Sequence, residues 1–525
     1  MIQKYLNILD FKKKNKKLFF NNHKKNENVI LIEIFDHPSS QVTYSYFSNI
    51  LSKLNNAKIV SIFPRKVSLK NYLYNFLSPF SPFAIQKSYG STKIIRPKYN
   101  KKISHNIYQK IKTKKDVIKI SINKIYIGDL IYDEYLAKYK KSTLDLESKL
   151  FNDHLNEAVK LFYFWYDYIS KNKVKALVLS HSVYFVGLPG RIANYFDIPV
   201  YNVMATAAHC LNKNNFLMLS NFEFSKKKFL QLKKNVKKEL ILNAKKNISN
   251  NFKGLLDMKQ LNDRKVSQSM FGLINKKKRV LNKNSKFKIL IATHCFQDAV
   301  HVYGNYLFED FFEWLDFLGV QSNKFENYEW YIKIHPAIFE RNKETLFYFT
   351  KKYPKFILLP KETTHNQLIY EGIGAVLTVY GSVGYEYPLF GIPVVNASNH
   401  GPHDFYEFNF YAKNKSDYLQ LIKNLPKLKV NKKKSKNQIY EYFAIRFLTS
   451  YNIYQNYNKY PKKYRDITQG SNLYRIWLKE FSLIHHKKVL RDYEVFIKSN
   501  EFKMFALNNH SKSRLLLKNE IKLNN

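Results

Sequence analysis

The chain has 525 residues, of which 45% are hydrophobic and 16% aromatic, with a formal net charge of +48. That hydrophobic share excludes a disordered chain, and the length allows two domains with separate cores. The charge fits a nucleic-acid binder, a protein drawn to anionic membrane or phosphorylated substrates, or simply biased residue usage; the lysines are scattered over linkers and tails and no nucleic-acid module is visible, so no specific nucleic acid is expected.

Residues 1–27 are rich in Lys and Asn and read as a poorly ordered basic tail. Val29 to Phe35 is a buried strand, with Asp36-His37-Pro38-Ser39-Ser40 at its carboxyl end and a helix to about Leu54. Lys58 to Phe63 is a second strand, which makes a βαβ opening. Phe76 to Ile85 is an apolar loop that reads as a buried connection or as an interfacial contact. Val117 to Ile122 reads as a strand, residues 142–171 as a long helix, Val174 to Ser180 as a buried strand, and Ile198 to Val203 as another. Residues 28–214 thus form one Rossmann-like domain, and 215–285 a helical, Lys-rich linker. From 286 to 456 the α/β rhythm returns, with strands near 287–292, 329–334, 356–360, 374–380 and 392–396, giving a second Rossmann-like domain. Residues 457–525 form a basic helical extension.

The two most informative runs lie in the second domain. Trp330 to Ile334 is a strand ended by His335-Pro336, because proline cannot extend a ladder. Val376 to Tyr380 is a strand ended by Gly381-Ser382-Val383-Gly384, with a helix starting near Ser382. Small residues let a ligand approach the backbone, and a helix N-terminus offers N–H groups to a phosphate. Gly381, Val383 and Gly384 then supply backbone, Ser382 a hydroxyl, and Glu386, one turn on, an acceptor for a ribose diol. Ligands of open α/β sheets sit at the carboxyl ends of strands, where these residues fall. The plainer readings are a loop at His335, an N-cap at Ser382 and an exposed first-turn acid at Glu386. Lys333 shares a face with His335 and reads as a donor-site residue or a solvated strand end. Asn399-His400-Gly401-Pro402-His403-Asp404 has metal-like residues, but Gly-Pro between the histidines argues for a turn, so no metal is assigned.

These two runs resemble the nucleotide-binding half of GT-B glycosyltransferases of bacterial capsule and surface polysaccharide, including the capsule Kdo transferases and the His-Pro-motif sialyltransferases. Thr293 to Ala299, Phe308 to Leu315 and Ile127 to Asp133 also resemble surface-carbohydrate biosynthesis proteins. The likeness covers residues 120–420 in patches. It lacks those enzymes' acidic-acidic-Gly motif, which leaves the base and the donor open. It implies two Rossmann-like domains with C-terminal helices crossing back onto the first. It implies transfer of a sugar from a nucleotide-sugar donor to a glycan or lipid-linked acceptor, with no cofactor and no obligatory metal. His335 would meet the leaving phosphate. Asp36 would be the base by its position at the cleft, with Asp129, Asp133 and Asp298 as further acidic candidates and His294 on the nucleotide side. Teichoic-acid polymerases share the architecture, so a CDP-polyol phosphotransferase is an alternative, and a non-catalytic assembly or export partner is another.

Only Cys210 and Cys295 are present, which excludes a disulfide framework and fits a reducing compartment. Residues 1–10 lack an apolar signal core and no run is long enough to span a bilayer. A cytoplasmic protein is expected, peripheral on the inner face of the plasma membrane where its charge meets anionic lipid.

Overall fold

The computed structural model describes residues 2–19, 27–98, 111–204, 207–219, 221–254, 270–304, 306–334, 339–398, 400–403, 405–449, 451 and 472–505. His335, Pro336 and Asp404 lie outside them.

Two six-stranded sheets carry the chain. The first is built from β1 (Val29–Glu33), β2 (Lys58–Ile62), β3 (Ser91–Ile95), β6 (Val174–Leu179), β7 (Val200–Met204) and β8 (Ala207–Leu211), and a small hairpin of β4 (Ser121–Ile122) and β5 (Ile125–Tyr126) lies apart from it. The second uses β9 (Phe287–Ala292), β10 (Tyr328–Lys333), β11 (Phe356–Leu358), β12 (Ala375–Thr378), β13 (Val394–Asn396) and β14 (Phe410–Tyr411). Their orders are β3-β2-β1-β6-β7-β8 and β11-β10-β9-β12-β13-β14. Every pairing in the two sheets is parallel except that of β8 with β7. Within each sheet the strands therefore run in the doubly wound order, and the order reverses between β1 and β6 and between β9 and β12. The protein has two Rossmann-like domains and a helical C-terminal region, the GT-B arrangement. The central strands are buried on both faces, as their unbroken apolar runs require.

The C-terminal helices Asn472–Glu480 and Leu483–Ser499 return to the first domain. They close over α1 (Ile2–Leu18) and α2 (Pro38–Leu54). Phe11 stacks on Tyr474 with ring centres 4.7 Å apart and meets Trp477 edge-on at 5.2 Å. His486 Nδ1 lies 3.1 Å from Tyr46 Oη. The expected loose tail is thus corrected over residues 2–18, which form a helix whose buried side fills the gap between these elements.

Other expectations also change. Val117 and Ile118 lie in the helix Lys114–Ile118, because Thr113 and Asp116 form a reciprocal capping box just before them. The apolar loop divides in two. Phe83 and Ile85 are buried in the helix Pro82–Ser88, whereas Phe76 and Leu77, at the end of α3 (Leu69–Leu77), are exposed. Among the described residues no helix is long and apolar enough to cross a membrane.

Candidate functional site between the two domains

Both points of strand-order reversal are bridged by polar contacts at their carboxyl ends. At the first, Ser180 N, just past β6, donates to Glu33 Oε2 of β1 at 2.6 Å. Glu33 is buried, and burial pushes its carboxyl up to about 7. At the second, His294 Nε2 lies 3.1 Å from Thr378 Oγ1 and accepts from Val379 N at 3.3 Å. Gly381 N in turn donates to Thr378 Oγ1 at 3.2 Å. His294 lies against Phe311 with ring centres 4.7 Å apart, and burial pulls its imidazole down to about 4. It is therefore neutral at pH 7. It ties the end of β9 to the turn after β12 and offers a phosphate no charge.

The turn itself departs from expectation. A helix does begin at Val383, but it ends at Glu386 and passes into a 3-10 turn over Tyr387–Phe390, where Pro388 cannot continue an α-helical ladder. A single turn builds little dipole. The Ser382 hydroxyl makes no capping bond; it lies exposed and 3.4 Å from Glu386 Oε2. The N-cap reading of Ser382 does not describe it. Gly384 is required by a neighbour: a Cβ there would stand 2.5 Å from His403 Cε1 and 2.8 Å from Asn409 Nδ2. His403 is buried among Tyr385, Phe408 and Tyr442 and held neutral, whereas His400 is exposed.

Glu386 is no exposed first-turn acid. It is buried behind Ser382, 3.4 Å from Asn251 Nδ2, and burial pushes it up to about 7. Its folded pKa exceeds its unfolded one, so its stabilising contribution is full below about pH 4.3 and is lost as pH rises through about 7. Glu386→Gln is therefore expected to raise stability at pH 8 by on the order of 3 kcal/mol and to change it little at pH 4.5. Melting curves of both proteins across that range check it, and an equal shift at all pH values would contradict it. Lys333, one candidate for a solvated strand end, is buried as well. Its Nζ donates to Thr363 O at 2.5 Å, and burial pulls the ammonium down to about 8.

The four aspartates separate. Asp129 is spent on Arg191, whose two terminal nitrogens donate to its oxygens at 3.2 and 2.9 Å in a buried fork. Asp133 reaches across to the second domain. Its Oδ1 lies 2.7 Å from His301 Nδ1, and Oδ2 accepts from His301 N at 3.2 Å. Burial raises the Asp133 carboxyl; burial alone would lower His301, but the charge of Asp133 and its hydrogen bond outweigh that and raise it. Asp298 is half-buried; Tyr184 Oη of the first domain donates to its Oδ1 at 2.7 Å, and Ala299 N donates to the same oxygen at 2.9 Å. Tyr184 holds a left-handed φ of +57°, a costly conformation for a bulky residue. Asp36 stands exposed past β1, with its charge felt by Tyr474. Thus the blocks around Asp133, Asp298 and Phe311, scattered in sequence, meet at the domain junction, where Tyr132 Oη also donates to Asp310 Oδ2 at 2.6 Å.

Sequence reasoning missed a further part of this junction. A cavity of about 200 Å³ lies among β7, β8, the helix Phe222–Leu230, the π-helical turn Ala444–Leu448 and the returning segment at Phe502–Lys503. Arg446, Lys503 and His209 line it. Among the described residues neither Arg446 nor Lys503 pairs with a carboxylate. Burial, then the Arg446 charge, pull Lys503 down to about 8. Arg446 donates to Tyr303 Oη at 2.8 Å, and the Tyr303 ring stands edge-on to Tyr380 at 4.7 Å, just before Gly381. No local sequence signal marks it; the π turn, a geometry frequent at functional sites, is visible only in the folded chain.

No protein-family model matches the chain, and no curated protein matches it. Among solved structures, a UDP-GlcNAc 2-epimerase from Neisseria meningitidis bound to UDP-GlcNAc is 11% identical, with 79% of this chain and 94% of that one aligned and a TM-score of 0.22. MurG of Acinetobacter baumannii is 9% identical over 86% of this chain and 100% of its own, at a TM-score of 0.20. The wall teichoic acid polymerase TagF, as its H548A variant, is 11% identical over 91% and 99%, at 0.21. At these scores the likeness assigns nothing, and the fold rests on the order and direction of the strands in the two sheets.

Proposed function

We propose that the protein is a glycosyltransferase that moves a sugar from a nucleotide-sugar donor to a surface glycan or lipid-linked acceptor at the membrane. The observation that supports it is the meeting of both strand-order reversals at one junction, joined by the Tyr184–Asp298 hydrogen bond. In this reading the donor lies along the Gly381–Ser382 turn. The acceptor hydroxyl gives its proton to Asp298 as its oxygen bonds to the anomeric carbon, and the bond from that carbon to the phosphate breaks. The departing phosphate gathers negative charge. His335 is the first choice to meet it, and the Arg446–Lys503 cavity offers two cations nearby. Asp298 replaces Asp36 as the preferred base, because it is half-buried at the junction whereas Asp36 is exposed beside the C-terminal helices.

Melting curves with CMP, CDP, UDP, GDP and ADP test this. A nucleotide that binds only the native state raises the melting temperature. CMP alone would point to a Kdo- or sialic-acid-type donor, UDP or GDP to a hexose donor, and CDP to polyol-phosphate transfer. No shift with any of them would contradict the proposal.

A further inference from the structure

Helix α3 is built inside out. At 100° per residue, Leu69, Leu73, Phe76 and Leu77 fall on one stripe. That stripe faces outward, with exposures of 60%, 42%, 59% and 71%. The only buried residue of the helix is Asn75, whose amide donates back to Asn71 O and Oδ1 at 3.0 Å each. A surface helix of a globular domain normally turns its apolar stripe inward; here Asn75 and the half-buried Tyr72 face the protein and the leucine stripe faces outward.

A second stripe lies beside it. On α1, Ile8 and Phe11 are buried under the C-terminal helices, whereas Ile2, Tyr5, Leu6 and Leu9 on the other side are exposed. The two helices are held together: Tyr5 packs on Phe80, just past α3, at 4.4 Å, and Lys12 Nζ donates to Pro79 O at 2.7 Å. Among the described residues, nine of the 23 exposed large hydrophobics belong to these two helices. Around them, α1 carries six lysines and one aspartate, and α3 carries Lys70 and no acid. Lys12, Lys16 and Lys87 stand close enough that each of the latter two lowers the Lys12 ammonium further, after burial.

We infer that this α1–α3 face docks on a bilayer containing anionic lipid, with the leucines and Phe76 entering the headgroup boundary and the lysines contacting the phosphates. Apolar side chains bordered by lysines are the composition of interfacial helices. A second copy presenting the same face would bring like charges together, which disfavours a symmetric dimer. The inference does not depend on the transferase reading, since it needs neither donor nor acceptor.

The test is co-sedimentation of the full-length protein with vesicles of phosphatidylcholine alone and of equal parts phosphatidylcholine and phosphatidylglycerol. Binding is expected to the mixed vesicles and to be weak on phosphatidylcholine. The triple variant Leu73→Ser, Phe76→Ser, Leu77→Ser should lose about a hundredfold in partitioning while keeping its melting temperature, because all three side chains are already exposed. Phe347→Ser, an exposed aromatic in the second domain, is the control and should bind like the parent protein. Equal binding by the triple variant would mean that charge alone attaches the protein and would overturn the assignment of this face. A dimer in sedimentation velocity that the triple variant dissolves would give the face to a second copy and overturn it too.

Discussion

Asp133→Ala is expected to cost about 3–5 kcal/mol, the range for removing one partner of a buried ion pair. The reason is local. His301 and Asp133 are each only about 1% exposed, and Asp133 accepts from both the ring and the backbone N–H of His301. His301 Nε2 is already buried without a partner. Truncating Asp133 therefore strands a second nitrogen and a backbone donor in a place water does not reach. The pair also joins the two domains, so its loss should loosen the junction as well as lower the melting temperature. Thermal unfolding of the variant checks this, and a melting temperature equal to that of the parent protein would contradict it.

Asp298→Asn is expected to lower turnover by about a hundredfold to ten-thousandfold, the contribution typical of a general base. The amide keeps the shape and still accepts from Tyr184 Oη, so the fold and the junction should survive. The effect should fall on turnover with little change in the apparent affinity for the donor, since Asp298 is assigned to the acceptor side. Asp36→Asn is the comparison and should leave turnover near that of the parent protein. If Asp36→Asn is the damaging change and Asp298→Asn is mild, the assignment of the base is wrong.

The buried strands were legible because a parallel strand covered on both faces needs an unbroken apolar run, and Phe287–Ala292 was read to the residue. What failed were elements whose reason lies elsewhere in the chain. β3 is a partly exposed edge strand and carries no such run. The first helix has apolar residues on two sides, one for the C-terminal helices and one exposed, so its periodicity looks like noise until Tyr474 and Trp477 are in place. The strand expected at Val117 gives way to a helix, because Thr113 and Asp116 form a capping box just before it. The site follows the same division. Position at strand ends pointed to the Gly381–Ser382 turn and Asp298, which in the fold follow β12 and β9. Nothing local showed that Asp129 is taken by Arg191, 62 residues away, or that Arg446 and Lys503 converge on one cavity. Neither the ribose reading of Glu386 nor its plainer reading as an exposed acid foresaw its burial, because Asn251 and Ser382 come together beside it only in the folded domain.

The central claim is that a sugar nucleotide binds along the Gly381–Ser382 turn at the junction. Titration calorimetry of whichever nucleotide stabilises the protein most, into the parent protein and into Ser382→Ala, tests it most directly. Ser382 is exposed and makes no capping bond, so the substitution should leave the fold intact. The account predicts one site on the parent protein and affinity about tenfold weaker in the variant, the loss of a hydrogen bond to a charged group. Unchanged affinity in Ser382→Ala would place the nucleotide elsewhere, and no heat with any nucleotide would contradict the account.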